Sequence, residues 1–159
     1  MKMQIEMIPK AELVYIRRVG PYGMENIQTM EKLKAWASTK GLLNDESIIL
    51  GIPWDNPAVI KPEDCRYDVG LIIRAEQQIS DNTVQMGRVG PGEYAVFEID
   101  HTAEALAQAW SELFLELGKQ GYQLDDTRPI MERYAARMIK NHRCEICVPI
   151  SSSQSQVLE

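Results

Sequence analysis

The feature that most limits how this chain can fold is that its pattern runs twice. Ala11-Glu12-Leu13-Val14-Tyr15-Ile16 and Gly92-Glu93-Tyr94-Ala95-Val96-Phe97 are both β-rich runs with glutamate in second place. Val-Gly-Pro follows the first at Val19-Gly20-Pro21 and precedes the second at Val89-Gly90-Pro91. Apolar residues three or four apart come next: Ile27, Met30, Leu33 and Ala37, then Leu106, Trp110, Leu113 and Leu117. That spacing lays one apolar stripe along an α-helix. Each stripe runs into a glycine, Gly41 or Gly121, a residue that readily ends a helix. Aligned on these glycines, Leu33 matches Leu113 and Met30 matches Trp110. Turn residues follow, at 51–57 and from 125 onward, and then closing strands at 67–72 and 144–150, with Asp68-Val69 matching Glu145-Ile146. The expected fold class is α+β: a tandem duplication of a βαββ module, with antiparallel sheets and two long helices. The halves are 1–74 and 83–150, joined by the polar stretch 74–82, and 151–159 reads as a flexible tail.

A chain of 159 residues suits one domain, which at this size buries roughly two-thirds of its unfolded surface and needs no disulfide or metal to stand. The longest apolar runs, 48–52 and 69–73, fall far short of the roughly 20 residues of a membrane-spanning helix. The N-terminus lacks the apolar core of a signal peptide, and three cysteines, an odd number, fit a reducing compartment. A cytoplasmic protein is expected. Net charge is −6, with no basic cluster beyond Arg17-Arg18, which argues against direct binding of nucleic acid.

Three motifs are set aside. Cys144-Glu145-Ile146-Cys147 lies in a strand, where residues three apart point to opposite faces, and no second pair completes a zinc site. His101 lacks a nucleophile on a matching elbow. Val-Gly-Pro-Gly is a turn and lacks the lysine of a phosphate loop. No metal or cofactor is expected.

Two like units side by side leave a groove along their twofold, and ligand sites favour such seams. Trp54, on a loop stiffened by two prolines, either caps the core or walls a pocket. Trp36 and Trp110 on the helices, and Tyr67 and Tyr94 in strands, are core residues by default and pocket residues by opportunity. Glu132 is the carboxylate of interest. In a strand, Ile130, Glu132 and Tyr134 share one face and Met131 and Arg133 the other. Glu132 then either points inward, where a carboxylate beside aromatic faces suits a lipophilic cation, or lies at an edge, solvated or paired with Arg128 or Arg133.

Several runs together resemble the GyrI-like small-molecule-binding superfamily: Tyr15-Ile16-Arg17-Arg18-Val19-Gly20-Pro21-Tyr22, the 51–57 loop, Pro62-Glu63-Asp64-Cys65-Arg66-Tyr67-Asp68-Val69, Gly92-Glu93-Tyr94-Ala95-Val96-Phe97 and Arg128-Pro129-Ile130-Met131-Glu132-Arg133-Tyr134. The resemblance covers residues 1 to about 150. It implies paired βαββ modules around a cleft for hydrophobic, often cationic compounds, with Glu132 as the cleft carboxylate and Trp54 and Tyr67 as aromatic walls. Members include effector-binding domains of AraC- and MerR-type regulators and stand-alone gyrase-inhibitor-like proteins. With no DNA-binding domain read in this chain, a regulatory role needs a protein partner, or else the domain acts alone. The expected function is binding of a small hydrophobic compound, a cation by preference, in transcription regulation or in toxin or drug sequestration, with Trp36, Trp54, Tyr67, Tyr94, Trp110 and Glu132 as candidate ligand residues. Some stand-alone relatives hydrolyse strained electrophiles. On that alternative Glu132 is the general base and Tyr67 the acid. Inhibition of a larger enzyme by protein binding is a third reading.

Overall fold

A computed structural model describes residues 1–77 and 79–151. The chain order is β1 (Lys2–Ile8), β2 (Ala11–Val19), α1 (Met24–Thr39), β3 (Ile48–Pro53), β4 (Arg66–Ile73), β5 (Gln85–Val89), β6 (Gly92–Asp100), α2 (Ala103–Lys119), β7 (Gln123–Leu124), β8 (Met131–Ala135), α3 (Ala136–Ile139) and β9 (Arg143–Ser151). The expected tail lies, beyond Ser151, outside the described residues.

The strands form one sheet in the order β1-β6-β9-β8-β3-β4-β2-β5, with β7 against β9, and the pairings are antiparallel. Two strand–helix–strand–strand runs stand out, β2-α1-β3-β4 and β6-α2-β8-β9, and they meet where β3 pairs with β8. Their registers correspond. Matched on Glu12 and Glu93, the pair Tyr15–Gly70 answers to Val96–Cys147, and the pair Gly51–Val69 to Glu132–Ile146. Gly51 and Glu132 are thus corresponding residues, and they are also direct cross-strand partners.

Both long helices lie on one face of the sheet. Under α1, Leu33 and Ala37 pack on Val14, Val69 and Leu71. Under α2, Leu113 and Leu117 pack on Ala95, Phe97, Ile146 and Val148. The opposite face gathers Leu13, Leu50, Ile52, Tyr94, Val96 and Met131 into a third cluster. The strand period of two sorts neighbouring residues between these clusters. Cys144 goes to the α2 side and Cys147 to the other, and both are free thiols. The start of α2 is fixed by Thr102, whose hydroxyl accepts from the Ala105 amide at 3.1 Å, with Glu104 in the first turn and Lys119 in the last. Gly41 and Gly121 follow the two helices at φ +67° and +83°, which favours glycine at both.

Three readings of the sequence are corrected. The stretch 51–57 is not all loop, because β3 continues through Gly51, Ile52 and Pro53. β1 and β5 were not read as strands. They are the sheet edges, and each is joined by sequence to one run and by pairing to the other, β1 to β6 and β5 to β2. Ile27, placed on the buried stripe of α1, is 59 % exposed. Among the described residues, no helix is long and apolar enough to cross a membrane.

Candidate functional site

α1 packs on β2 and β4, and α2 packs on β6. Between the helices, over the β3–β8 seam, lies a cavity of about 730 Å³. Ile49, Tyr67, Glu132 and Tyr134 come from the sheet, Met30 and Lys34 from α1, and Leu106 from α2. Ile139 and Lys140, at the end of α3, line it as well. The volume lies within the range of pockets for drug-sized molecules.

The Glu132 carboxylate holds this site together. Its Oε1 accepts hydrogen bonds from the Tyr67 hydroxyl at 2.8 Å and the Tyr134 hydroxyl at 3.1 Å. Its Oε2 accepts from the Trp110 indole N–H at 3.2 Å. All three donors are neutral. Burial pushes the carboxyl above the ordinary glutamate range, and the three hydrogen bonds pull against that rise. Burial and the neighbouring carboxylate hold both tyrosine hydroxyls far above their ordinary range, so they remain donors. Burial, and then Glu132, push the Cys144 thiol up to about 12. His101 lines the cavity with its ring 5.5 Å from that of Tyr134, and burial lowers its pKa.

The structure brings three of the sequence candidates together: Glu132 and Tyr67 line the cavity, and Trp110 reaches the carboxylate from α2. Trp36 packs beside the α1 cluster and donates to Asp81 at 3.1 Å, away from the cavity lining. Trp54 lies on the opposite face of the sheet. The strand period carries it to the side of Leu50 and Ile52. There it borders a hollow of about 130 Å³ and donates to Asp68 at 2.6 Å. Asp68 is also gripped by Arg17 at 2.8 and 2.9 Å. Tyr94 is fully buried on that same face, with the Arg128 guanidinium 4.8 Å from its ring centre. Neither Arg128 nor Arg133 pairs with Glu132. Arg128 bonds Asp125 and the carbonyls of Glu93 and Ile150, while Arg133 bonds Glu6 and Glu145. Sequence reasoning set His101 aside, yet it lines the cavity, and it did not pick out Gly51. Tyr134 was legible, since alternation sets it on the face of Glu132.

The profile of the GyrI-like small molecule binding domain matches residues 1–151. The chain belongs to this family. It is 42 % identical over 151 residues to YosT of Bacillus subtilis strain 168, an SPbeta prophage-derived protein named as a candidate transcriptional regulator, covering 94 % of this chain and 99 % of that one. It is 28 % identical over 125 residues to DNA gyrase inhibitor 2 of Dickeya dadantii, covering 77 % of this chain and 78 % of that one. Among solved structures, the EcmrR C-terminal domain superposes with a TM-score of 0.70 at 12 % identity, over 95 % of this chain and 98 % of that one. EcmrR as seen in its complex with DNA superposes with a TM-score of 0.73 at 13 % identity, over 95 % of this chain and 57 % of that one. SAV2435 bound to tetraphenylphosphonium shares the fold with a TM-score of 0.57 at 15 % identity, over 96 % of this chain and 95 % of that one.

Proposed function

We propose that this GyrI-like domain is a receptor for hydrophobic cations, which enter the cleft between α1 and α2 and set their charge over Glu132. One observation carries the reading. A carboxylate sits in a largely apolar cavity with three neutral donors, so its charge is hydrogen-bonded but not neutralised. A lipophilic cation supplies the missing charge and fills the apolar walls, with Tyr67 and Tyr134 offering ring faces. SAV2435, which holds tetraphenylphosphonium, shares this fold. A role in transcription control would couple the filled cleft to a DNA-binding partner; YosT is named as a candidate transcriptional regulator, and EcmrR is seen in a complex with DNA.

The test is calorimetry and thermal unfolding with tetraphenylphosphonium, neutral triphenylphosphine oxide and anionic tetraphenylborate. The cation should bind, and at 100 times its Kd should stabilise the fold by about 2.7 kcal/mol, or about 5–10 °C in Tm. Equal binding of tetraphenylborate, or no shift with any of the three, overturns the reading.

Binding should also depend on pH with a fixed sign. A carboxyl raised by burial takes up a proton early as pH falls, and the neutral acid no longer attracts a cation. Affinity should therefore drop on acidification through the Glu132 midpoint, with a limiting slope of about tenfold per pH unit. Titrations from neutral to acid pH check this, and a flat profile would contradict it.

The two tryptophans at the two faces should separate cleanly. Trp110→Phe removes the donor to Oε2 and should weaken cation binding by about 1 kcal/mol, several-fold in Kd. Trp54→Phe, on the far face, should leave the affinity unchanged. Calorimetry on both variants decides, and loss of affinity in Trp54→Phe would contradict the assignment of the cleft.

A hydrolase built on Glu132 and Tyr67 fits the arrangement less well. The Tyr67 hydroxyl points at Glu132 and is held far above its ordinary range, so giving its proton to a substrate would undo a bond that stabilises the carboxylate.

A further inference from the structure

Gly51 is a glycine in the middle of a central strand, where the residue type is ordinarily unfavourable. Its backbone is not the reason for it, since Gly51 is not among the residues with positive φ. The space around it is. A Cβ at Gly51 would lie 2.3 Å from the Tyr67 hydroxyl oxygen and 2.6 Å from Glu132 Oε1, the two atoms of the central hydrogen bond. Gly51 and Glu132 are also direct partners across the β3–β8 seam and correspond in the two runs. One side of the seam therefore supplies the carboxylate and the other supplies the room for it.

We infer that Gly51 is a positioning residue of the site. Because it carries no side chain opposite Glu132, the carboxylate lies back against the Tyr67 hydroxyl instead of standing out into the cavity. Gly51 thereby sets how deep a bound charge must reach, a consequence for ligands that rests on the receptor reading above. Tyr67 is held by its packing, with its ring 6.0 Å from that of Tyr22, so an added methyl group moves the carboxylate sooner than the ring. The groups that face the carboxylate are Tyr67 on β4, Tyr134 on β8, Trp110 on α2 and Cys144 on β9. Glu31 and Lys34 on α1, His101 before α2 and Lys140 after α3 line the same cavity.

The experiment is a carboxyl-carbon NMR titration of Glu132 in the ligand-free protein, for wild type, Gly51→Ala, Tyr67→Phe and the double variant. In Gly51→Ala the Glu132 midpoint should rise by about one pH unit, the size expected when one hydrogen bond to an ionised group is lost. In the Tyr67→Phe background the same exchange should shift it far less, because the crowded hydroxyl and its bond are already gone. The double variant also keeps the test open if Gly51→Ala alone folds poorly. An unchanged midpoint in Gly51→Ala, or shifts that add in full, would show that Gly51 serves packing only and overturn the inference. The titration needs no ligand. If wild type then fails to bind tetraphenylphosphonium, the receptor reading falls while the positioning role of Gly51 stands. If it binds, Gly51→Ala should weaken it several-fold.

Discussion

Replacing Glu132 with glutamine is expected to weaken the binding of tetraphenylphosphonium by about 30-fold or more and to leave the fold at least as stable. Removing one partner of a buried charge contact costs about 2–5 kcal/mol of binding, and about 1.4 kcal/mol is a factor of ten. The fold survives because glutamine can meet the same neighbours. Its oxygen can accept from the Trp110 N–H, which can only donate. Its amide can donate to the hydroxyl oxygens of Tyr67 and Tyr134, which can turn to accept. Stability should even rise at neutral pH. The Glu132 carboxyl is raised in the folded protein, so the folded state holds its proton more tightly than the unfolded chain. Wild type therefore loses stability as pH climbs from the ordinary glutamate range through the raised midpoint, and the glutamine variant should not. Calorimetry gives the affinity, and chemical denaturation at acid and neutral pH gives the stability. Retained affinity in Glu132→Gln would remove the carboxylate from the site.

Much of this was written in local periodicity. The helix stripes, the helix-ending glycines and the alternation from Ile130 to Tyr134 are short-range signals, and apart from Ile27 at the exposed start of the α1 stripe their side chains lie where they were read. Leu33 and Leu113 are buried under matching helices, and Glu132 and Tyr134 share the cavity face. What was not legible depends on pairing between distant strands. The edge strands β1 and β5 carry weak patterns, because one long side of each makes no ladder and one face is largely exposed. Trp54 was an attractive wall because it is large and sits on a stiff loop. Its face, however, is fixed by the register of β3, and that register carries on through Gly51, Ile52 and Pro53 where a loop was expected. Gly51 could not be singled out by residue type, since only its partnership with Glu132 across the seam gives it meaning.

Arg133 shows how far one step along a strand can separate roles. It follows Glu132 but points to the other face, where it bonds both Glu6 oxygens on β1 at 2.8 and 3.0 Å and Glu145 on β9 at 2.8 Å. β1 and β8 are not neighbours in the sheet, so this arginine ties an edge strand to its centre. Arg133→Met should therefore destabilise the protein by about 3 kcal/mol. That is the low end for breaking a buried ion pair, because Glu6 is 42 % exposed although Glu145 is only 12 % exposed. In Tm this is about 6–12 °C at this size. The loss should be greatest at neutral pH. The hydrogen bond to Arg133 holds Glu6 below the ordinary glutamate range, so its contribution is present above that range and fades as pH falls through the lowered midpoint. The gap between variant and wild type should therefore narrow in acid, and denaturation curves at acid and neutral pH measure it. Cation affinity should stay at the wild-type value, since Arg133 does not line the cavity. A variant that kept its stability but lost the ligand would place the binding face on the wrong side of the sheet.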